Sequence, residues 1–482
     1  MKINMKHPEG GLSLAFVAET TGGQLVLQGI REIPLISCAC TDSREADPNT
    51  MFCAIRGERV DGHNYMASTV QQGCRAFLCE RVPEALPPPF AAVVVKDTVA
   101  ALSDLARGYR QRYLKNLLPV AVTGSVGKTT TKECVAAVLS QSKQLFKKDG
   151  NFNSVIGLPL SVLEIGENCE CAVLEMGMSG FGEISAMTGA VHPHIAMVTN
   201  IGHAHMELLG SREGIARAKL EIAESMGEGD ILLVNGDEPL LNDTVLAPIR
   251  AKGVRILRLS MSDPLAEAYI HGVTPREGGM SFSLSVAGKT WENCYIPAMG
   301  IHMVWAAAFA AVTGYCLGMS CADVQTGLST YRPAAMRQNV YQMGDVTFIE
   351  DCYNASPESM RAAFSVLTLT AKSRMIAVLG DMKELGESQV RLHRETGKAL
   401  VSAAQDRELM MVTVGELGQE LAKGAMEAGL PADRICAFAK DVPYAEASEH
   451  IKAMMQAGDT LLFKASRSMG LETLIQGIKD EK

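Results

Sequence analysis

The run Gly124-Ser125-Val126-Gly127-Lys128-Thr129 has the residue types that grip the phosphates of a nucleotide. Glycines let the backbone approach phosphate oxygens. A helix starting there offers free N–H groups and its positive dipole end. Lys128 can reach the terminal phosphates, Thr129 can offer its hydroxyl to Mg²⁺, and Thr130 follows as a further nucleotide contact. The spacing departs from G-x-x-x-x-G-K-[ST], which would need glycine at Val122. The plain alternative is a glycine-rich strand-to-helix turn with an incidental lysine. The strand-like PVAVTG (119–124) before it and the helical periodicity after it weigh against that.

Other polar residues fall where ligands of open parallel sheets gather, at the carboxyl ends of apolar runs. Glu175 ends CAVLEMG, Asn200 lies in IAMVTNIG, and His203 and His205 follow in GHAHME. A carboxylate and an imidazole beside a triphosphate are Mg²⁺ ligand types. A helix-capping glutamate and hydrogen-bonded turn histidines are the structural alternatives. Lys219, in IARAKLEIAESM, reads on its own as a solvated surface lysine. His393, in RLHRETG, is either a general base or a capping or helix-surface histidine.

These residues need elements to hold them. At roughly 100–200 residues per domain, 482 residues make about three domains. Residues 1–112 carry short apolar runs broken by turns, with TDSREADPNTMFCAIRG reading as turn, strand, turn. A helix-like stretch, 99–114, leads onward. Residues 113–331 alternate strands (119–124, 171–177, 195–202, 231–238) with amphipathic helices, which implies a largely parallel sheet covered on both faces. Residues 332–482 repeat the alternation (346–354, 374–382, 409–415, 460–466). The expected class is α/β, with a smaller doubly wound, Rossmann-like C-terminal domain.

Composition narrows the function. Net charge is −9, so no basic excess marks a nucleic-acid surface. Thirteen scattered cysteines include no CxxC pair, which argues against a zinc ribbon and for reduced, mostly buried thiols in a cytoplasmic protein. The CxC pairs Cys38/Cys40 and Cys169/Cys171 are each expected on one face of a strand. The apolar run 13–19 lacks the features of a signal peptide, and no run approaches 18 apolar residues, so no membrane span is expected.

Taken in order, VTGSVGKTTTKE, GNFNSVIGLPLSVL, EMGMSGFGEI, VTNIGHAHMELLGS and ARAKLEI resemble the Mur ligase family, the ATP-dependent amide-forming enzymes of peptidoglycan precursor synthesis. TDSREADPNTMFCAIRGERVDGHNY resembles that family's uridine-nucleotide domain. MRQNV, DCYNASPESM, LGDMKELG and FKASRSMGLE resemble its C-terminal domain. The likeness spans essentially the whole chain. DCYNASPESM and LGDMKELG are distinctive of the member that joins D-alanyl-D-alanine to UDP-N-acetylmuramoyl-tripeptide.

The resemblance implies roles. Lys128 would contact ATP, within a set of Gly124 to Thr130 and Asn200. Thr129 and Glu175 would hold one Mg²⁺, and His205 would help hold a second. Lys219 matches a lysine carried as a carbamate, which would aid that second metal. Arg337 and Asp351, with Tyr353 beside them, would engage the nucleotide when the domains close. Ser43 and Arg44 would bind the uridine diphosphate, Asn151 and Asn153 the central substrate, and Asn354 and Ser356 the incoming dipeptide. No organic prosthetic group, nucleic acid or membrane partner is implied, and a monomer is the default. Three positions depart from the family pattern: Ser154 for asparagine, Ala306 for an asparagine that meets adenine, and Ala465 for glycine. A phosphate-loop kinase or switch without ligase activity is the competing class, and a ligase-derived binding protein is a third reading.

Overall fold

The computed structural model describes residues 1–7 and 10–480. It contains three main β-sheets, each built from a consecutive stretch of chain. The first runs Lys2–Asn4, Cys38–Cys40, Thr50–Cys53, Ala76–Cys79, Phe90–Val94, Gln24–Gln28. Its inner four strands are parallel and its two edge pairings antiparallel.

The central sheet places Leu118–Thr123 between Cys171–Glu175 and Ile195–Val198, with Leu145–Lys147 at one edge. Ile231–Asn235, Arg255–Ser260 and Ala268–Arg276 continue it in parallel. Its inner strands Leu118–Thr123, Cys171–Glu175, Ile195–Val198 and Ile231–Asn235 are largely apolar and buried because helices cover both faces. One face packs on the helix Lys128–Leu139 and the nearly all-apolar helix Ile301–Cys316.

The sheet then differs from the expected strand–helix alternation. Ala268–Arg276, Gly279–Val286 and Lys289–Ile296 form antiparallel hairpins. Ser281-Phe282-Ser283-Leu284-Ser285-Val286 alternates polar and apolar residues, so a strand with one buried face results.

The third sheet runs Asn339–Met343, Val346–Glu350, Thr460–Lys464, Met375–Gly380, Leu409–Val414, Ile435–Phe438. All but the first pairing are parallel, with helices on both faces, as the doubly wound reading requires.

Helix Thr98–Tyr113 joins the first two units. The Asp97 side chain accepts the N–H groups of Val99 and Ala100, capping its start. Its buried residues, Ala101, Leu102, Leu105, Ala106 and Tyr109, fall at helical spacing and make one stripe. The Tyr109 hydroxyl lies 3.1 Å from the Lys6 carbonyl and 3.0 Å from that of Ile165, one in each unit. One apolar core therefore runs through both.

Residues 13–19 fall in a strand end and the helix Leu14–Thr21, capped by Ser13. Cys38 and Cys40 share a strand, but Cys169 lies in the turn before the strand that opens at Cys171, so the second pair shares no strand face. All thirteen cysteines are free thiols, nine of them buried. Among the described residues no helix is long and apolar enough to cross a membrane.

Candidate active site

The strand Leu118–Thr123 ends at the carboxyl edge of the sheet, and the phosphate-type loop turns there into the helix Lys128–Leu139. Gly124 is required at this bend: a Cβ would land 1.9 Å from Thr199 Oγ1. Gly127 caps the helix at φ 83°, in the left-handed region. Thr199 Oγ1 donates to the Val126 carbonyl at 2.7 Å. Asn200 accepts twice, from the Val126 N–H at its Oδ1 (2.9 Å) and from the Ser125 N–H at its carbonyl (3.1 Å). Asn200 thus holds the loop from behind. The first N–H groups of the helix, which have no intrahelical partner, remain for a ligand.

Lys128 curls back and donates to the Gly124 carbonyl at 2.8 Å. Burial lowers its pKa, with Glu175 opposing the effect. An enclosed ammonium with this weak support is matched by an incoming polyanion.

Glu175 ends the neighbouring strand in register with Val122. Its two oxygens accept from Thr129 Oγ1 at 2.7 Å and Asn153 Nδ2 at 2.8 Å. A hydroxyl and a carboxylate side by side beneath the phosphate loop fit a Mg²⁺ that takes its other ligands from phosphate and water. Among the described residues no group of three His, Cys, Asp or Glu side chains is placed to hold a metal alone.

Lys219 corrects the surface-lysine reading. It is 1% exposed on the helix Arg212–Leu220, and its pKa is driven well below the ordinary value by burial and then by the charge of Lys128. No hydrogen bond to its side chain is present among the described residues. His205 stands at the start of the short helix Met206–Leu209 at φ 66°, with Nδ1 3.0 Å from Glu384 Oε2.

The C-terminal unit supplies the facing wall, again from the carboxyl ends of its strands. Asp351 follows Val346–Glu350, and buried Lys464 ends the adjacent strand. Lys464 Nζ donates to Asp351 Oδ2 at 2.6 Å and to the Asn354 carbonyl at 3.1 Å, fixing the loop 351–354. The Gln338 N–H also donates to Asp351, at 3.2 Å. The Arg337 guanidinium lies 4.1 Å over the Tyr353 ring. Asn354 Oδ1 accepts the Ala355 N–H, and Ser356 caps the helix Pro357–Thr370 in a reciprocal box with Ser359.

A cavity of about 760 Å³ lies between the two walls. Its lining includes the loop residues 125–130, Asn151, Asn153, Glu175, Asn200 and His205 from the central unit. Arg337, Asp351, Tyr353, Asn354 and Ser356 line it from the C-terminal unit. Gly124 and Lys219 do not line it. Ser43 and Arg44 are not brought to it; Arg44 is exposed and paired with Asp42. That pair holds the Asp42 carboxyl well below its usual range.

His393 is neither a surface histidine nor an available base. It is fully buried, its Nε2 accepts the Met382 N–H at 2.9 Å, and its Nδ1 pairs with the Gln389 carbonyl at 2.7 Å.

Three family models cover most of the chain: "Mur ligase family, catalytic domain" over residues 35–110, "Mur ligase middle domain" over 122–314 and "Mur ligase, glutamate ligase domain" over 336–467. A UDP-N-acetylmuramoyl-tripeptide–D-alanyl-D-alanine ligase of Bacillus subtilis is 36% identical over 93% of this chain and 94% of its own. The chain belongs to the Mur ligase family.

Solved Mur ligases agree in fold. MurF from Acinetobacter baumannii superimposes with a TM-score of 0.86 at 30% identity, over 98% of this chain and 100% of its own. MurF ligase from Thermotoga maritima, in complex with ADP, gives 0.77 at 25% identity, over 92% and 96%.

The departures from the Mur ligase pattern have local explanations at two of three sites. Ser154 accepts the Gly157 N–H at 3.2 Å, at the start of the helix Gly157–Val162. Ala465 is fully buried against Gly380, where a Cβ would come within 2.7 Å of its methyl group, so the smaller partner accommodates the larger. Ala306 joins Ala298, Phe309 and Tyr331 in an apolar part of the cavity wall, and no polar side chain replaces the asparagine at that position.

Lys383, Glu384 and Gln338 also line the cavity and carried no role in the sequence reading. LGDMKELG contains the first two, but only the fold turns that motif toward the phosphate loop.

Proposed function

We propose that this chain is an ATP-dependent ligase that joins D-alanyl-D-alanine to UDP-N-acetylmuramoyl-tripeptide, releasing ADP and phosphate. The observation that carries the reading is the shared cavity. A phosphate loop with Thr129 and Glu175 forms one wall, and the Asn354–Ser356 segment, next to a locked Asp351, forms the other. The A. baumannii and T. maritima neighbours are MurF proteins, the second bound to ADP, and the B. subtilis relative carries this activity in its name.

In the proposed reaction the tripeptide's terminal carboxylate attacks the γ-phosphorus of ATP. The bond to the bridging oxygen breaks, giving an acyl phosphate and ADP. The amine of D-alanyl-D-alanine attacks the acyl carbon, loses a proton, and phosphate departs. Lys128 and the helix N-terminus neutralise charge on the phosphates. Thr129 and Glu175 would hold Mg²⁺, with His205 and a carbamate on Lys219 serving a second ion. The metal would supply charge neutralisation for the transferring phosphoryl group. Arg337, Asp351 and Tyr353 meet the nucleotide from the C-terminal side. Asn151 and Asn153 contact the UDP substrate centrally, and Ser43 and Arg44 hold its uridine end. Asn354 and Ser356 receive the dipeptide. Closure of the two walls keeps water from the acyl phosphate. His393 takes no part in the proton transfer, because both its ring nitrogens are engaged. The enzyme acts as a cytoplasmic monomer, where ATP and UDP-linked precursors meet.

The test is incubation with ATP, Mg²⁺, UDP-N-acetylmuramoyl-tripeptide and D-alanyl-D-alanine, followed by mass analysis. The pentapeptide product is expected; ADP release without it defeats the reading.

A further inference from the structure

Helix Pro357–Thr370 begins just after Asn354 and Ser356. Glu358, at its second position, reaches out of the C-terminal unit to the central one. Its Oε1 accepts the His203 backbone N–H at 3.2 Å and makes a short contact with Nδ1 of the same residue. The carboxyl group rests against Gly202, where a Cβ would stand 2.8 Å from Glu358 Cδ. The Gly202 N–H donates to Ser125 Oγ at 2.8 Å. Two residues earlier, Asn200 holds Ser125 and Val126. A connected run therefore leads from the first turn of the dipeptide-side helix to the phosphate loop: Glu358, His203, Gly202, Ser125.

The same loop is gripped a second time. Glu384 Oε2 lies 3.0 Å from His205 Nδ1, and both residues hold left-handed backbone, at φ 65° and 66°. Glu358 Oε2 is buried and has no hydrogen-bond partner. A buried unpaired oxygen and left-handed non-glycine backbone both carry a free-energy cost. The oxygen regains water when the units separate. The contact is therefore reversible and specific to one docked geometry.

We infer that Glu358 is a positioning residue: through His203 it locks the dipeptide-binding side of the C-terminal unit to the phosphate loop, so that the acceptor site and the phosphoryl-transfer site assemble together. The inference rests on the ligase reading for what the lock serves, while the lock itself is a contact between two units that is measurable without turnover.

The test uses the full-length chain with Glu358→Ala, His203→Ala and the double substitution. Each single change is expected to lower kcat at least tenfold and to raise KM for D-alanyl-D-alanine. The melting temperature should stay within a few degrees. The double variant is expected to be no worse than the poorer single variant, as for partners in one contact. Singles within twofold of the parent overturn the proposal, as do effects that multiply in the double variant, or a melting shift with kcat intact. Gly202→Ala supplies a second approach: its added methyl wedges the carboxylate away while keeping both polar groups, and the same kinetic pattern is expected. Small-angle scattering separates this proposal from the ligase reading. Glu358→Ala should increase the radius of gyration whether or not the parent makes the pentapeptide, and an unchanged radius overturns the lock.

Discussion

Lys219 sits 1% exposed, with Lys128 as the charge that acts on it and, among the described residues, no acceptor for its own protons. Burial first, and then repulsion from the Lys128 ammonium, drive it toward the neutral amine. A neutral amine attacks CO₂, loses a proton and becomes a carbamate anion. In the proposed enzyme that change would convert repulsion with Lys128 into attraction and would supply an oxygen ligand. Lys219→Ala is expected to lower ligase turnover by a factor on the order of 10³, a scale typical for loss of key electrostatic groups. Bicarbonate or short carboxylates added to the variant should restore part of it, read as product by mass. Unchanged activity in the variant removes the carbamate from the mechanism.

At the scale of elements, the site depends on strands that end side by side. Glu175 meets Thr129 because its strand pairs in register with Leu118–Thr123, the strand that leads into the helix bearing Thr129, and Asp351 meets Lys464 because the strands Val346–Glu350 and Thr460–Lys464 are adjacent and parallel. His393 supports the third such strand end, holding Met382 from a buried helix position. Burial lowers its pKa from the ordinary 6.5, and that of His302 likewise. For such groups the unfolded chain binds more protons below 6.5, so stability is complete above 6.5 and is lost as pH falls below it. The melting temperature should therefore decline between pH 6.5 and 5, before carboxylates titrate. Each histidine contributes at most about 1.4 kcal/mol per pH unit. His393→Gln should show a shallower decline over this window; an identical slope would remove His393 as a source.

These same elements mark how far the sequence could be read. The strands at 119–124, 171–177, 195–202 and 231–238 were legible because each is a largely apolar run that ends in a polar residue or glycine, and the phosphate loop followed from its position between strand and helix; the parallel strand Arg255–Ser260, interrupted by Arg258, was not. The hairpins from Ala268 to Ile296 were not, because their period-two pattern breaks a region otherwise governed by strand–helix alternation. Lys219 misled as a lone residue, since burial is set by neighbours distant in sequence. The Glu358–His203 contact spans 155 positions, and no local pattern announces a pairing across two units.

At the scale of the molecule, the proposed turnover has the two walls of the cavity part and close. Gly386 and Glu207 offer a direct test. A Cβ built on Gly386 stands 3.6 Å from that of Glu207, within the range for a disulfide. Gly386→Cys with Glu207→Cys should oxidise to a link between the units. The linked form should lose most multiple-turnover activity, and thiol reductant should restore it. Equal rates before and after reduction would show that chemistry proceeds without the units separating.

Because the cavity wall is divided between two units, ligands fall into two thermodynamic kinds. A small anion seated only on the phosphate loop has the same affinity whether the halves are together or apart. A compound that touches both Glu175 and Asp351 binds only the joined state, so its apparent dissociation constant equals the intrinsic one divided by the fraction of molecules already joined. Any substitution that loosens the junction therefore weakens bridging inhibitors in proportion and leaves one-sided ones untouched. Resistance to a two-sided inhibitor can arise at residues that the inhibitor never meets.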